Sequence, residues 1–227
     1  DFYISSGSTP RVIKLSHDGD LIWNTLLSDT EVYFGESIRA SEHIEATVDG
    51  NVFVASQRKV HMLSGDSGEE IWTKSFTDRV MSVRTDREGN LYVALNRSND
   101  ALRKYTPNGD LVWSRGSMAA EIRTTDIDTE GNLYTAEGYG ATKGRIVKMA
   151  PIGGELLMSS GRYSGNLRPT GIAVRDPDVI FIDRDDTVLS SHLLERYDIM
   201  DGDLELIWSL TPRKDNINYL FADVNKK

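Results

Sequence analysis

The residues of this chain best suited to chemistry are carboxylates grouped in short polar stretches. Asp126, Asp128 and Glu130 in DIDTEGN alternate acidic oxygens ahead of a glycine, a spacing that can wrap a hard cation such as calcium. Related stretches recur as TVDGN (47–51) and TDREGN (85–90), so a hairpin turn is the expected role at all three. Asp183, Asp185 and Asp186 in DRDD are placed by the pattern in a connection between strands, where function is often carried. Asp183 and Asp185 are therefore the candidate metal ligands, with calcium the matching ion, against the plainer reading of a solvated acidic loop. His17, His43, His61 and His192 make no HxxxH-type pair and are expected at the surface or in hairpins.

Other chemistries fail on residue type. The chain has no cysteine, which excludes disulfides, thiolate zinc sites and a thiol nucleophile. It has no GxSxG, and the glycines of EGYGATKG (137–144) lack the GK[ST] ending of a phosphate cradle. A formal charge of -9 argues against a nucleic-acid partner, which needs clustered Lys and Arg. No apolar run is long enough to insert into a bilayer. The chain opens at Asp1 without a signal-peptide pattern, as expected of a processed chain or a piece of a longer one.

What must position these groups is a repeat. Trp23, Trp72, Trp113 and Trp208 close the phrases GDLIW, GEEIW, GDLVW and LELIW, and Met158 closes a fifth copy, GELLM. Upstream of each phrase lie two further period-two stretches, such as NVFVA (51–55) and KVHMLS (59–64), or NLYTA (132–136) and RIVKMA (145–150). Before these comes a strand ending in an acidic turn, as in MSVRTDREG (81–89). One unit is thus a four-stranded antiparallel meander, and such units bury their apolar faces only by stacking. The first unit starts at its second strand, while INYLFADVN (217–225) reads as a first strand with no successor. The expected fold is all-β: a single domain over 1–227, a five-bladed β-propeller closed by strand 217–225 pairing with the N-terminal three strands.

Blades such as DREGNLYVA with LRKYTPNGDLVW, and DGNVFVA with KVHMLSGDSGEEIW, resemble the NHL and quinoprotein-type (PQQ-like) propeller repeats over essentially the whole chain. The resemblance implies that the Trp strand is outermost, its indole wedged on the neighbouring blade, and that the first strand lines a central channel. It implies a softer contact at Met158. PQQ itself does not carry over: quinoproteins of that kind are larger rings, often with a vicinal cysteine pair. The Glu/Asn/Asp calcium set of NHL-like lactonases does not carry over either, because Asn96, Asn132 and Asn166 are not at equivalent positions.

Length differences concentrate in the connections after the fourth strand and between the second and third strands, which emerge on one side. These hold Tyr33, Phe34, Arg39, Tyr139, Arg162, Tyr163, Arg168 and Arg184, and Tyr and Arg are the side chains most enriched in binding hot spots. Tyr33 and Phe34 could equally fold down as a plug over the channel. The reading is a non-enzymatic module, without a cofactor, that binds protein or glycan through this face or serves a larger assembly. Its expected setting is extracellular, envelope or virion rather than cytoplasmic. The alternative is a metal-dependent hydrolase or lyase at the channel mouth, with Asp183, Asp185 or Glu137 as ligands.

Overall fold

The computed structural model describes residues 1–6, 11–27, 44–96, 100–116, 122–138, 144–160, 167–176, 179–186 and 191–210. The described residues form strands joined by turns, with no helix among them. Two compact units divide the chain: Asp1–Val93 with Lys104–Leu111, and Ala94–Arg103 with Val112–Lys227.

The first unit holds two sheets. One is β1 (Phe2–Ser6), β2 (Arg11–Leu15) and β3 (Leu21–Leu26) in that order, so the first repeat does begin at its second strand. The other is β4 (Ile44–Ala46), β5 (Val52–Ser56), β6 (Lys59–Leu63) and β7 (Glu70–Ser75). The division between units passes through the third sheet, β8 (Val80–Thr85), β9 (Leu91–Leu95), β10 (Leu102–Tyr105) and β11 (Leu111–Arg115). The second unit holds a fourth sheet, β12 (Ile122–Ile127), β13 (Leu133–Gly138), β14 (Gly144–Met149) and β15 (Leu156–Ser159). Its fifth sheet is longer-stranded: β16 (Leu167–Asp176), β17 (Val179–Asp186), β18 (Ser191–Met200) and β19 (Asp203–Leu210). The expected closing strand, 217–225, lies outside the described residues.

Each sheet is an antiparallel meander in sequence order, as the alternating patterns require. Second strands such as VFVAS and LYVAL are buried along their whole length, because both faces are covered. Val12, Trp23 and Leu27 of the first blade pack with Val52, Val54 and Leu63 of the second. In the second unit, Tyr134, Ala136, Ile146 and Met158 pack with Ile172, Val174, Ile180, Ile182 and Tyr197. Apolar faces that no single blade could hide are thus buried pairwise.

The recurring phrase is a two-part joint. Its Trp donates its indole N–H to a carbonyl in the third-to-fourth-strand turn of the next blade: Trp23 to Gly65 (2.9 Å), Trp72 to Pro107 (3.1 Å) and Trp113 to Pro151 (3.2 Å). The glycine opening the next copy is the pad beneath that ring. A Cβ on Gly68 would stand 2.6 Å from Trp23, one on Gly154 3.1 Å from Trp113, and one on Gly109 3.4 Å from Trp72. These glycines also hold positive φ, so the position excludes a side chain twice over.

The residue before the aromatic has its own role. Lys14 pairs with Trp23 but Leu15 with Leu21, which leaves Ile22 as the extra residue of a β-bulge. Ile71, Leu157 and Ile207 are skipped in the same way. A bulge twists an edge strand and interrupts its free hydrogen-bonding row, which discourages pairing with another chain while these aliphatic residues stay exposed.

Trp23→Phe should lower stability by about 2 kcal/mol, since the N–H and part of the buried ring are both lost while Lys14 still bonds the same carbonyl. Gly65→Ala should cost more, about 3 kcal/mol, because its Cβ would fall 1.8 Å from the Gly50 oxygen. Urea unfolding midpoints check both, and a Gly65→Ala midpoint equal to wild type would contradict the joint.

Candidate functional site

The carboxylates of the acidic turns are committed to the hairpins that carry them. Asp128 accepts the Glu130 and Asn132 N–H groups on one oxygen (both 2.9 Å) and the Asn132 side chain and Tyr134 hydroxyl on the other (2.8 and 3.1 Å). Lys148 stands 3.7 Å from that second oxygen and lies over the Tyr134 ring. Asp86 does the same one blade earlier, with Asn90, Tyr92 and Lys104 at 2.8 to 3.3 Å. The stretch D-x-x-G-N-x-Tyr followed by a strand-three Lys is therefore a staple holding the turn to the sheet. Asp126, the third member of the calcium-like spacing, accepts the Val174 N–H of the next blade at 2.7 Å.

The second blade replaces this staple with apolar groups, Phe53 paired in register with Met62, and a Thr47 at the Asp86 position whose hydroxyl bonds Asp49. That substitution within the same chain shows what the charged version needs. Lys104→Met alone should destabilise by about 3 kcal/mol, because the buried Asp86 loses its cation. Combining it with Asp86→Thr and Tyr92→Phe should recover most of that loss in thermal and urea unfolding; a triple variant no better than the single would disprove the equivalence.

A second polar cluster, missed by sequence reasoning, crosses three strands of the second blade. His61 is fully buried, which corrects its expected surface or hairpin placement. Its Nδ1 lies 2.7 Å from Glu70 Oε2 and 3.0 Å from the Thr73 hydroxyl, and its Nε2 lies 3.2 Å from Ser56 Oγ. A carboxylate only accepts, so in the neutral ring Nδ1 carries the proton and Nε2 accepts from Ser56. The order hydroxyl, imidazole, carboxylate is that of an activated nucleophile. Here, with Ser56 and His61 both buried, the cluster ties β5, β6 and β7 together. The signal was available: in KVHML the histidine is followed at period two by Leu63 of the core, and it pairs with Val54.

Partial burial pushes the Glu70 carboxyl up, but hydrogen bonds from His61 and Thr73 and the positive potential of His61 and Lys59 outweigh it and hold it below the usual Glu value. A carboxylate depressed on folding adds stability above its unfolded pKa, and that stability is lost as pH falls through the folded value. Wild type should therefore exceed Glu70→Gln in unfolding midpoint near neutrality by a small, solvent-screened margin. The gap should close as the pH falls below the ordinary Glu range; a gap independent of pH would refute the assignment.

The remaining candidates are distributed unevenly. Glu137 is fully buried, and its Oε2 is bonded by the Arg145 guanidinium at 2.9 Å in an ion pair inside the fourth blade. Asp183, Arg184 and Asp185 are strand residues, a correction to the expected connection over 183–192. Pairing of β17 with β18 runs on to Asp186 opposite Ser191, so the connection shrinks to 187–190. Arg168 pairs with Asp185 in β16. Tyr33, Phe34, Arg39, Tyr139, Arg162 and Tyr163 lie outside the described residues. Among the described residues no group of three or more His, Cys, Asp or Glu is arranged to hold a metal ion.

Comparison with known proteins agrees with the blade architecture. By structure, the chain is similar to hydrazine synthase of Kuenenia stuttgartiensis (15% identity, TM-score 0.65), covering 83% of this chain but only 53% of that one. It is also similar to a Bacteroides caccae protein of unknown function (15%, TM-score 0.63, 92% and 71% of the two chains). BamB from Moraxella catarrhalis matches at 11% identity and TM-score 0.60, over 92% of this chain and 69% of that one. At such identities these structures show the fold alone. No curated protein matches in sequence. The family described as "Outer membrane protein assembly factor BamB" matches residues 8–204, nearly the whole repeat array, and the chain belongs to this family of PQQ-like β-propellers.

Proposed function

We propose that this protein is a binding or structural module of a cell-envelope assembly, recognising a protein partner through the connections at one end of its blades. One observation carries the reading: the chemically capable side chains of the repeats hold strands and blades together, while variation in length falls in the connections. Asp86 and Asp128 staple turns, Asp126 bridges blades, and His61 and Glu137 tie neighbouring strands. The third-to-fourth-strand turns receive the indoles and cannot vary freely.

The connections at the other end of each meander are not the turns that receive the indoles. In an antiparallel meander the connection between strands two and three and the exit from strand four share one end of the sheet. The second blade displays this directly, with Phe76 and Val80 N–H groups bonded to the Arg58 and Gln57 carbonyls. Tyr139, Arg162, Tyr163 and Arg184 belong to, or border, such connections in sequence, and Tyr33, Phe34 and Arg39 belong to the longest of them. The family's description as an outer membrane protein assembly factor supports an envelope location and a protein partner over a glycan or a virion role.

The test is affinity against a partner identified by in-cell photo-crosslinking from position 139 or 163. A combined Tyr139→Ala, Arg162→Ala, Tyr163→Ala variant should bind at least about tenfold more weakly with its melting temperature unchanged, as expected when hot-spot side chains are removed. Unchanged affinity, or crosslinks that form only from the Trp-bearing edge strands, would count against the proposal.

A further inference from the structure

We infer that the junction between the fourth and fifth blades is a hinge, pinned at the first strands and free to give at the last. Within each compact unit the other blade junctions carry a directional clamp at the last strand: an indole N–H bonded to a turn carbonyl above a glycine pad. At the fourth-to-fifth junction both halves of the clamp have changed together. The donor is Met158, which has no N–H. The receiving turn is displaced as well, because in the fifth blade Gly202 precedes Trp208 by six positions rather than the four separating Gly68 from Trp72, and a Cβ on Gly202 would meet nothing within 4 Å.

The contact that Met158 makes there is non-directional. Met158 packs with Tyr197 in the buried cluster, with Ile199 and Leu204 alongside. A flexible thioether against aliphatic side chains tolerates sliding that a hydrogen-bonded indole would resist. A directional tie at this junction sits at the opposite edge of the sheets, where the Asp126 carboxylate accepts the Val174 N–H at 2.7 Å. Asp126 occupies β12 and Val174 β16, the first strands of their blades. The corresponding first-strand tie between the second and third blades, Arg84 to Glu45 at 2.7 Å, is backed by the Trp72 clamp, whereas the Asp126 tie has no indole clamp behind it. A pivot at the first strands with a slippery outer seam is the geometry of hinge motion.

Amide hydrogen exchange of the whole chain under native conditions tests this. Third strands are compared with each other, because they are interior to their sheets. Amides of β18 should exchange at least about tenfold faster than those of β6, since local opening of the fifth blade needs no clamp to break. Asp126→Ala should accelerate β16 to β18 as a block and leave β5 and β6 unchanged. Asp126→Asn, whose amide oxygen can accept the same N–H, should stay close to wild type. Equal exchange of β18 and β6 in the wild type would overturn the hinge, as would an Asp126→Ala variant that speeds all blades alike.

Discussion

The bond on which this structure depends joins one blade to the next: an indole N–H reaching a turn carbonyl over a glycine that cannot carry a side chain. The geometry demands three things at once. The donor must sit on the last strand, the receiving turn must run close beneath it, and the edge strand must be rotated to aim the ring. The phrase G-x-x-Φ-W supplies all three, its glycine receiving the previous blade, its Trp addressing the next, and its penultimate residue forming the bulge. Receiver and donor are therefore read from one short segment but belong to different interfaces, which explains why the segment recurs as a unit.

This coupling makes the fifth copy informative. If the motif marked only strand propensity, Met158 could replace Trp with no change elsewhere. Instead the loss of the N–H accompanies a receiving turn displaced by two positions in the next blade. The two halves of a joint that are far apart in sequence have changed together because they meet in space. Met158 meets the next blade by apolar burial, and such burial is strong in total but weak in direction.

The architecture was legible from the sequence because it rests on periodicity and on a repeated aromatic, signals that survive divergence among the copies. Strand order, the three-stranded first sheet and the structural role of the indoles all follow from residues such as Trp23 and from the repeat offset at Asp1. Side-chain networks were less legible, since they depend on cross-strand register. The absence of an HxxxH-type pair points His61 to the surface or a hairpin, yet pairing of β5, β6 and β7 gathers Ser56, Glu70 and Thr73 around it. The repeat pattern places Asp183 and Asp185 in the connection between second and third strands, yet the ladder of the fifth blade continues through them.

The same register explains how one scaffold accepts both charged and apolar fillings. Tyr134 faces Lys148, Phe53 faces Met62 and Phe181 faces Arg196 at the same rung of the second and third strands. An aromatic ring can be covered equally by a thioether or by the stem and head of a basic side chain, one through dispersion and the other also through cation–π attraction. A cation introduced there requires a counter-charge, and Asp86, Asp128 and Asp198 provide it in their blades. Charge at this rung is thus a local choice made blade by blade, conditional on an acidic partner.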